Sequence, residues 1–208
     1  SNCRSWLALS ASQIGPESDV NIPISDRQTF WRIATALESI RDAQKTCELI
    51  IHCDVKKPSP LYRALVTAIH VMYARPFLKS YGTPHQQDIP ATIVPERFRE
   101  LHDKLVAHRK TIYAHSQANA DYSDVTDTFL LQVEFCNTEK HLGWAVSTVT
   151  PEPFKIDEIA VLCKEVSKPL QQMVDLFSTQ YVDALPVERG IFRLQVESDD
   201  QSPFQKVE

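Results

Sequence analysis

The fold is decided by the first long stretch that neither Gly nor Pro interrupts, which runs from Ser25 to Val55 and reads SDRQTFWRIATALESIRDAQKTCELIIHCDV. Its apolar residues recur at intervals near three and four residues, the spacing of one helix face. They are Phe30, Ile33, Leu37, Ile40, Cys47 and Ile51. Ser25 stands just before them and has a side chain preferred at an N-cap. The stretch therefore predicts a long first helix.

A second helix is predicted from Leu61 to Lys79. Ser59 and Pro60 precede it, and these residue types are preferred at the N-cap and the first helical position. Pro76 lies near its end, where a missing N–H and the proline ring bend the last turns.

Two further helices are predicted from the same spacing of apolar residues. The third begins at Pro95 and fades after Ser116, with a regular apolar stripe that ends in histidines. The fourth runs from Ile156 to about Asp183, and Pro169 in its middle predicts a kink or a break into two helices.

Between the third and fourth helices the periodicity changes to that of strands. Runs rich in β-forming residues, 129–136 and 142–149, flank a polar loop at 137–141. Alternation predicts that two sets of residues face each other across the strands: Phe129, Leu131, Val133 and Phe135 on one, and Leu142, Trp144, Val146 and Thr148 on the other. We expect a β-hairpin at 129–149, acting as a flap over the core rather than as an edge that docks a partner.

The predicted fold is therefore mainly α, an antiparallel bundle of four main helices with a β-hairpin inserted between the third and fourth. This domain spans residues 25–185. Residues 1–24 are expected to form an irregular N-terminal lead-in. Residues 186–208 are expected to form a C-terminal extension, with one strand-like patch at 191–196 and a partly disordered end.

Composition excludes several classes of protein. The 208 residues, 43% hydrophobic and 24% charged, are typical of one soluble domain. Only four are glycine, and neither G-x-G-x-x-G nor a Walker A motif occurs, so the common nucleotide-binding loops are excluded. The sequence has no run of 18 apolar residues, so it predicts no membrane-spanning helix. With 22 basic and 27 acidic residues, a surface coated in positive charge is excluded, but a local basic cleft is not.

The cysteines favour a reducing compartment. There are five, Cys3, Cys47, Cys53, Cys136 and Cys163, and no two have C-x-x-C spacing. Buried thiols in the cytoplasm are the simplest interpretation, and paired zinc ligands are missing. The first residues lack a basic segment followed by an apolar core, so no signal peptide is expected. We expect no metal and no cofactor.

The third helix is unusual in an acidic protein. Residues 95–117 hold five basic and three acidic residues, together with His102, His108 and His115. Taken singly, a histidine on an apolar face is most often a hydrogen-bonded core residue, and a basic helix face is usually only solvated. Here, however, the histidines and the basic residues occur together on one helix. Burying an unpaired imidazole costs on the order of 1–3 kcal/mol, so these histidines need an interaction that offsets this cost.

The segment from His108 to Ser116 reads HRKTIYAHS and resembles the R-x(4–6)-H signature of the HEPN superfamily, with five residues between Arg109 and His115. An alanine before the histidine, a position late in a long helix and an all-α bundle are also similar to that family. The segment 73–77, YARPF, is similar to segments in small bacterial HEPN-like proteins. The resemblance covers roughly residues 26–183.

The resemblance implies a homodimer in which two motifs face each other across a cleft. Active members are metal-independent endoribonucleases, many of them toxins or phage-defence proteins, so the implied partners are RNA, a second copy, and an antitoxin or another protein. His115 would then be the general base or acid, and Arg109 the phosphate clamp. Some family toxins carry a modifiable tyrosine two residues after the motif histidine. Gln117 stands there, which argues against that mode of neutralisation.

Five neighbouring residues are candidates for substrate binding. His108 shares the helix face of His115. The other four are Lys110, Tyr113, Ser116 and Arg75, the last beside the Pro76 bend. On an ideal helix Arg109 and His115 lie about 120° apart. Three arrangements would bring them together. The helix could deform near Tyr113, the long Arg109 side chain could extend around the helix, or two chains could share one site.

Two alternatives remain open from the sequence. One is a catalytically inactive HEPN-like dimer that binds RNA, nucleotide or a protein partner. The other is a metal-dependent helical bundle using His102, His108 and acidic residues. The metal alternative is disfavoured because no Glu-x-x-His pair occurs on facing helices.

Overall fold

The computed structural model describes residues 22–57, 59–78, 89–110, 129–136, 141–148, 155–184, 186, 190–196 and 203–207. The main helices among them are α1 (Ile24–His52), α2 (Pro60–Ala74), α3 (Arg99–His108) and α4 (Ile156–Gln180). Strands β1 (Phe129–Cys136) and β2 (His141–Thr148) form one antiparallel hairpin, and β3 (Phe192–Leu194) and β4 (Phe204–Lys206) form another. The predicted class, mainly α with a hairpin between the third and fourth helices, is confirmed.

The α1 helix is central and packs against both α4 and α2. It runs antiparallel to α4, because Phe30 stacks on Phe177 while Arg41 donates to Gln171 further along (2.6 Å). The predicted stripes form the core between the helices, with Ile33, Leu37, Ile40 and Cys47 from α1 and Ile159, Leu162, Val166 and Leu170 from α4. Ile51, expected in the stripe, is exposed, and Ile50 is buried instead. None of the described helices has the length and apolar character that a membrane span needs.

Pro169 does not interrupt α4, which continues as one helix from Ile156 to Gln180. Val166 and Leu170 flank the proline and are completely buried. Because burial holds the helix on both sides, the loss of one backbone hydrogen bond does not end it. The expected alternative of a break into two helices is wrong.

Pro76 ends α2 rather than only bending its last turns. The helix ends at Ala74 and tightens into a 3₁₀ turn, Arg75–Phe77, that contains the proline. The regular helix therefore ends before the predicted Lys79, because a proline N cannot donate the hydrogen bond that would continue it.

One predicted N-cap is confirmed and the other is wrong. Ser59 caps α2, where its Oγ accepts from the Tyr62 amide (3.1 Å). In α1 the helix begins at Ile24, and the Pro23 carbonyl accepts the amides of Asp26 and Arg27 (both 3.0 Å). Ser25 thus lies inside the first turn, where its hydroxyl bonds Asp26 Oδ1 (3.2 Å).

This difference predicts unequal effects of two matched substitutions. Ser59→Ala is expected to lower the free energy of unfolding by about 1 kcal/mol, because it removes an N-cap acceptor. Ser25→Ala is expected to cost less than about 0.5 kcal/mol, since it removes no cap. Urea unfolding of both variants followed by circular dichroism measures the difference, and equal losses would contradict the cap positions.

Residues 203–207 of the C-terminal extension take part in a strand pair and in a packed cluster. There β4 pairs with β3, and Phe204 packs against a small apolar cluster of Ile22, Phe177 and Tyr181. Arg27, completely buried in α1, donates to the Gln195 carbonyl at 2.8 Å. These contacts with distant parts of the chain attach the described residues of the extension to the bundle.

Candidate functional site

Helices α2 and α3 meet through a stack of two histidine rings. His70 of α2 and His108 of α3 have ring centroids 5.7 Å apart and planes inclined by 12°. Both side chains are buried, and His70 Nδ1 lies 2.8 Å from the Val66 carbonyl oxygen. The stack places the carboxyl end of α3 beside the C-terminal third of α2.

A second histidine contact lies further along the same interface. Tyr73 Oη and His102 Nδ1 are hydrogen-bonded at 2.9 Å, and both residues are buried. The Phe77 ring packs edge-on against the His102 ring, with centroids 4.5 Å apart. Since α2 residues 70 and 73 pair with α3 residues 108 and 102 in reverse order, the two helices run antiparallel.

Burial keeps these imidazoles neutral. It lowers the pKa of His70 to about 4, and the nearby His108 lowers it slightly further against the opposing effect of the Val66 carbonyl. Burial likewise lowers the pKa of His102 and of His108, and raises that of Tyr73. At neutral pH these groups hold the two helices together, and none of them carries charge to a substrate.

A metal site at these histidines has no support in the part of the chain that the structure describes. No group of three or more potential ligands gathers there. His102 and His108 lie about 9 Å apart along the helix axis and contact different residues of α2. The metal-dependent alternative therefore lacks the ligand geometry it needs among these residues.

Three of the five cations predicted on the third helix are engaged within the fold. Arg97 lies 3.9 Å from Glu165, and Lys104 lies 2.7 Å from Glu100. Arg99 donates to the backbone carbonyls of residues 91 and 94. Among the described residues, neither Arg109 nor Lys110 has a carboxylate within ion-pair distance.

Arg109 and Lys110 stand where α3 widens. They form a π-helical turn, and the Arg109 amide is shared between the Leu105 and Val106 carbonyls. The Arg109 residue is half-buried and Lys110 is exposed. Such turns change the direction of side chains relative to an ideal helix and are frequent at functional sites.

The structure does not bring the other predicted site residues that it describes into one exposed site. His108 is buried against His70, so little of its side chain is exposed. Arg75 is exposed in the 3₁₀ turn at the other end of the α2–α3 contact, so the structure does not bring it beside Arg109. Tyr113, His115 and Ser116 lie outside the described residues.

His70 is the residue that sequence reasoning missed. It lies four residues after Val66 and three before Tyr73, so helical spacing puts all three on one face. A histidine within the apolar α2 was the available signal. Its partner on α3 was not readable, because the pairing joins residues far apart in the chain.

Comparisons with known proteins do not link the chain to a family. No protein-family model matches it, no curated protein matches it, and no solved structure matches it.

Proposed function

We propose that the chain is a HEPN-like, metal-independent endoribonuclease of the toxin or phage-defence type, acting as a homodimer in the cytoplasm. One observation carries this proposal: at the end of α3, Arg109 and Lys110 have no carboxylate partner among the described residues. Arg109 also opens the Arg109-x₅-His115 motif. RNA is the substrate, and an antitoxin or another protein is a further partner.

The proposed reaction uses groups that suit the two motif residues. The ribose 2′-hydroxyl attacks the adjacent phosphorus, the bond to the 5′-oxygen breaks, and a 2′,3′-cyclic phosphate and a 5′-hydroxyl remain. The imidazole at position 115 moves the proton, a task for which the histidine side chain is the usual choice in proteins. The Arg109 guanidinium stabilises the negative charge that the phosphate gains in the transition state.

The neutral histidines support the position of this arginine. His108 directly precedes Arg109 and is fixed by its stack on His70. Because burial disfavours protonation of both rings, they supply rigidity without placing further charge beside the phosphate. A fixed α3 terminus reduces the reorganisation needed when the substrate binds.

The non-catalytic dimer is retained as a second candidate because of one observation. Of the histidines on α2 and α3 that the structure describes, all are buried with lowered pKa values. None of these described imidazoles is available to move the proton, so the proposed catalysis rests on His115. If that imidazole does not reach the phosphate, the same cationic helix end would bind RNA or nucleotide without cutting it.

Removal of the arginine tests the proposed role directly. Arg109→Ala is expected to reduce the single-turnover rate of RNA cleavage about 100-fold, the usual cost of losing one group that stabilises transition-state charge. The measurement uses labelled RNA, excess protein and EDTA.

Arg97→Ala is the matched control, since it removes the same side chain from the turn that begins this helical segment. Arg97 is exposed beside Glu165, so its removal is expected to leave the rate within about twofold. Equal rates for Arg109→Ala and the unaltered chain would contradict the proposed clamp. Tight RNA binding without any cleavage by the unaltered chain would favour the second candidate.

A further inference from the structure

The solvent-facing side of α2 differs from that of an ordinary surface helix. Four apolar residues follow one another along it at spacings of three and four: Leu61, Ala64, Ala68 and Val71. Leu61 is 58% exposed and Val71 is 38% exposed, while Ala64 is exposed and Ala68 is half-buried. The opposite side of the helix supplies Tyr62, Ile69 and Tyr73 to the core. We call the four solvent-facing residues the outer stripe.

The outer stripe lacks the charges expected on a surface. Charged residues normally occupy the solvent side of a surface helix, and a helix that is apolar all round is normally buried. From Pro60 to Ala74, however, α2 contains one charged residue, Arg63, and no acidic one. The exposed Val161 of α4, by contrast, has exposed Asp157 and Lys164 within one turn and is an ordinary surface position. A continuous apolar stripe is instead typical of a face that another element covers.

The shape of the outer stripe suits a second helix. It extends about 15 Å from Leu61 to Val71, which is close to three helical turns. The two small alanines lie between these larger residues, so a helix can approach to the lower end of the usual range of interaxial distances, about 8–10 Å. Half-buried Leu65 and Met72 border the stripe on one flank and widen the apolar area.

The charges near the outer stripe are all positive. From Val55 to Leu78 the chain has no acidic residue and four basic ones, Lys56, Lys57, Arg63 and Arg75. Arg75, one turn beyond Val71, is exposed and has no carboxylate within ion-pair distance in the part of the chain that the structure describes. At the other end Lys57 lies over the Tyr62 ring, with its Nζ 5.1 Å from the ring centroid. Positive charge therefore stands at both ends of the stripe.

This charge pattern disfavours a second copy of the chain as the cover. If two α2 helices packed antiparallel on their outer stripes, Arg75 of one chain would approach the end of the other helix that carries Arg63. If they packed parallel, each cation would meet its own counterpart. Since α2 has no carboxylate, neither arrangement offsets the repulsion. A covering helix with acidic residues at its ends avoids this conflict.

We propose that the outer stripe binds an amphipathic helix of a different protein, one whose apolar residues recur at three- and four-residue spacing and are flanked by aspartate or glutamate. The apolar residues of that helix pack against the stripe as anchors. An acidic residue beside Arg75 fixes the direction and register of the bound helix. RNA cleavage is not needed for this binding, because the stripe faces away from α3. His70, which contacts α3, lies about 160° around the helix from Ala68.

The test begins with a phage-displayed library of helical peptides in which the residues of one face are randomised, selected on the purified full chain. Selected peptides are expected to share apolar residues at the predicted spacing and acidic residues at one or both ends. The most enriched peptide is then synthesised with a fluorescent label, and fluorescence anisotropy gives its dissociation constant.

Matched substitutions separate the stripe from the rest of the surface. Val71→Asp is expected to weaken peptide binding about tenfold or more, because the bound helix would bury an unpaired carboxylate. Val161→Asp makes the same change at an exposed valine of α4 and is expected to leave the dissociation constant within about twofold. Arg75→Glu is expected to weaken binding about fivefold, and a peptide with lysine in place of its acidic residues is expected to recover this loss.

Far-UV circular dichroism must show the same helical content in all variants, and if Val71→Asp unfolds, Arg75→Glu with the lysine peptide decides. A library that yields no binder, or a peptide that binds Val71→Asp as tightly as the unaltered chain, would overturn the proposal. Vesicles of phosphatidylcholine and phosphatidylserine are the second probe, since an apolar stripe between cations also suits an anionic membrane. Vesicle binding that Val71→Asp abolishes, without any selected peptide, would also overturn it. Peptide binding by a chain that cuts no RNA would support this proposal while contradicting the proposed nuclease.

Discussion

At pH 4.5 the free energy of unfolding is expected to be about 2–3 kcal/mol lower than at pH 7.5 through His70 alone. In the unfolded chain this imidazole takes up a proton near pH 6.5, whereas in the folded chain burial lowers its pKa to about 4. Between these values the unfolded chain binds more protons, so stability falls as the pH falls from about 6.5 to about 4. Above that window the histidine contributes no pH dependence.

The groups around His70 add to the expected loss of stability at low pH. His108 of α3 faces it in the ring stack, and burial also lowers the pKa of His108, with Lys104 contributing. Protonation of both rings would place two cations 5.7 Å apart inside the α2–α3 interface. Acid is therefore expected to separate α3 from α2 before it unfolds the α1–α4 seam, whose main core cluster is apolar and whose buried Asp26 is hydrogen-bonded by Tyr181 at one end.

A matched pair of variants isolates this effect. His70→Phe keeps a ring in the stack but cannot titrate, and it is expected to reduce the loss between pH 7.5 and 4.5 by about 2 kcal/mol. His52→Phe changes an exposed histidine and is expected to leave the loss within about 0.5 kcal/mol. Urea unfolding at each pH measures all three proteins. An equal loss in His70→Phe and the unaltered chain would contradict the role of the stack.

His115→Ala is expected to reduce RNA cleavage about 1,000-fold or more. Proton transfer by a positioned side chain contributes roughly 10²–10⁴ in rate, and the described histidines of α2 and α3 are buried and cannot replace it. RNA binding is expected to change less than about threefold, because Arg109 and Lys110 remain to contact phosphate. The loss therefore appears in the rate at saturation rather than in affinity.

His52→Ala is the control for this experiment, since it removes an exposed histidine of α1 whose Nδ1 lies 2.7 Å from the Glu48 carbonyl oxygen. Its cleavage rate is expected to equal that of the unaltered chain. Cleavage by His115→Ala at more than a tenth of the normal rate would show that another group moves the proton.

Local patterns were sufficient to identify the four main helices, though not all of their ends. Apolar residues at three- and four-residue spacing identified the buried faces of α1 and α4, because helix geometry repeats over neighbouring residues. The Ser59–Pro60 pair located the start of α2 for the same local reason. The start of α1 was displaced because the Pro23 carbonyl accepts the first amides, which makes Ser25 unnecessary as a cap.

Contacts between residues far apart in the sequence could not be predicted from local patterns. Residues 203–207 follow a polar stretch at 197–202, and the local pattern does not show that Phe204 joins a cluster with Ile22 and Phe177 from two other segments. The His70–His108 stack likewise depends on the packing of α2 against α3. In the candidate site, the sequence pattern identified Arg109 and Lys110, but only the structure separates them from Arg97, Arg99 and Lys104, which the fold itself engages.

The chemical nature of the RNA ends is the most direct test of the proposed activity. Purified protein is incubated with a defined RNA in EDTA, and the products are analysed by mass spectrometry. The proposed mechanism predicts 2′,3′-cyclic phosphate and 5′-hydroxyl ends, and no cutting of the same RNA when each 2′-hydroxyl is methylated. Products with 3′-hydroxyl and 5′-phosphate ends, or cleavage that stops in EDTA, would contradict it.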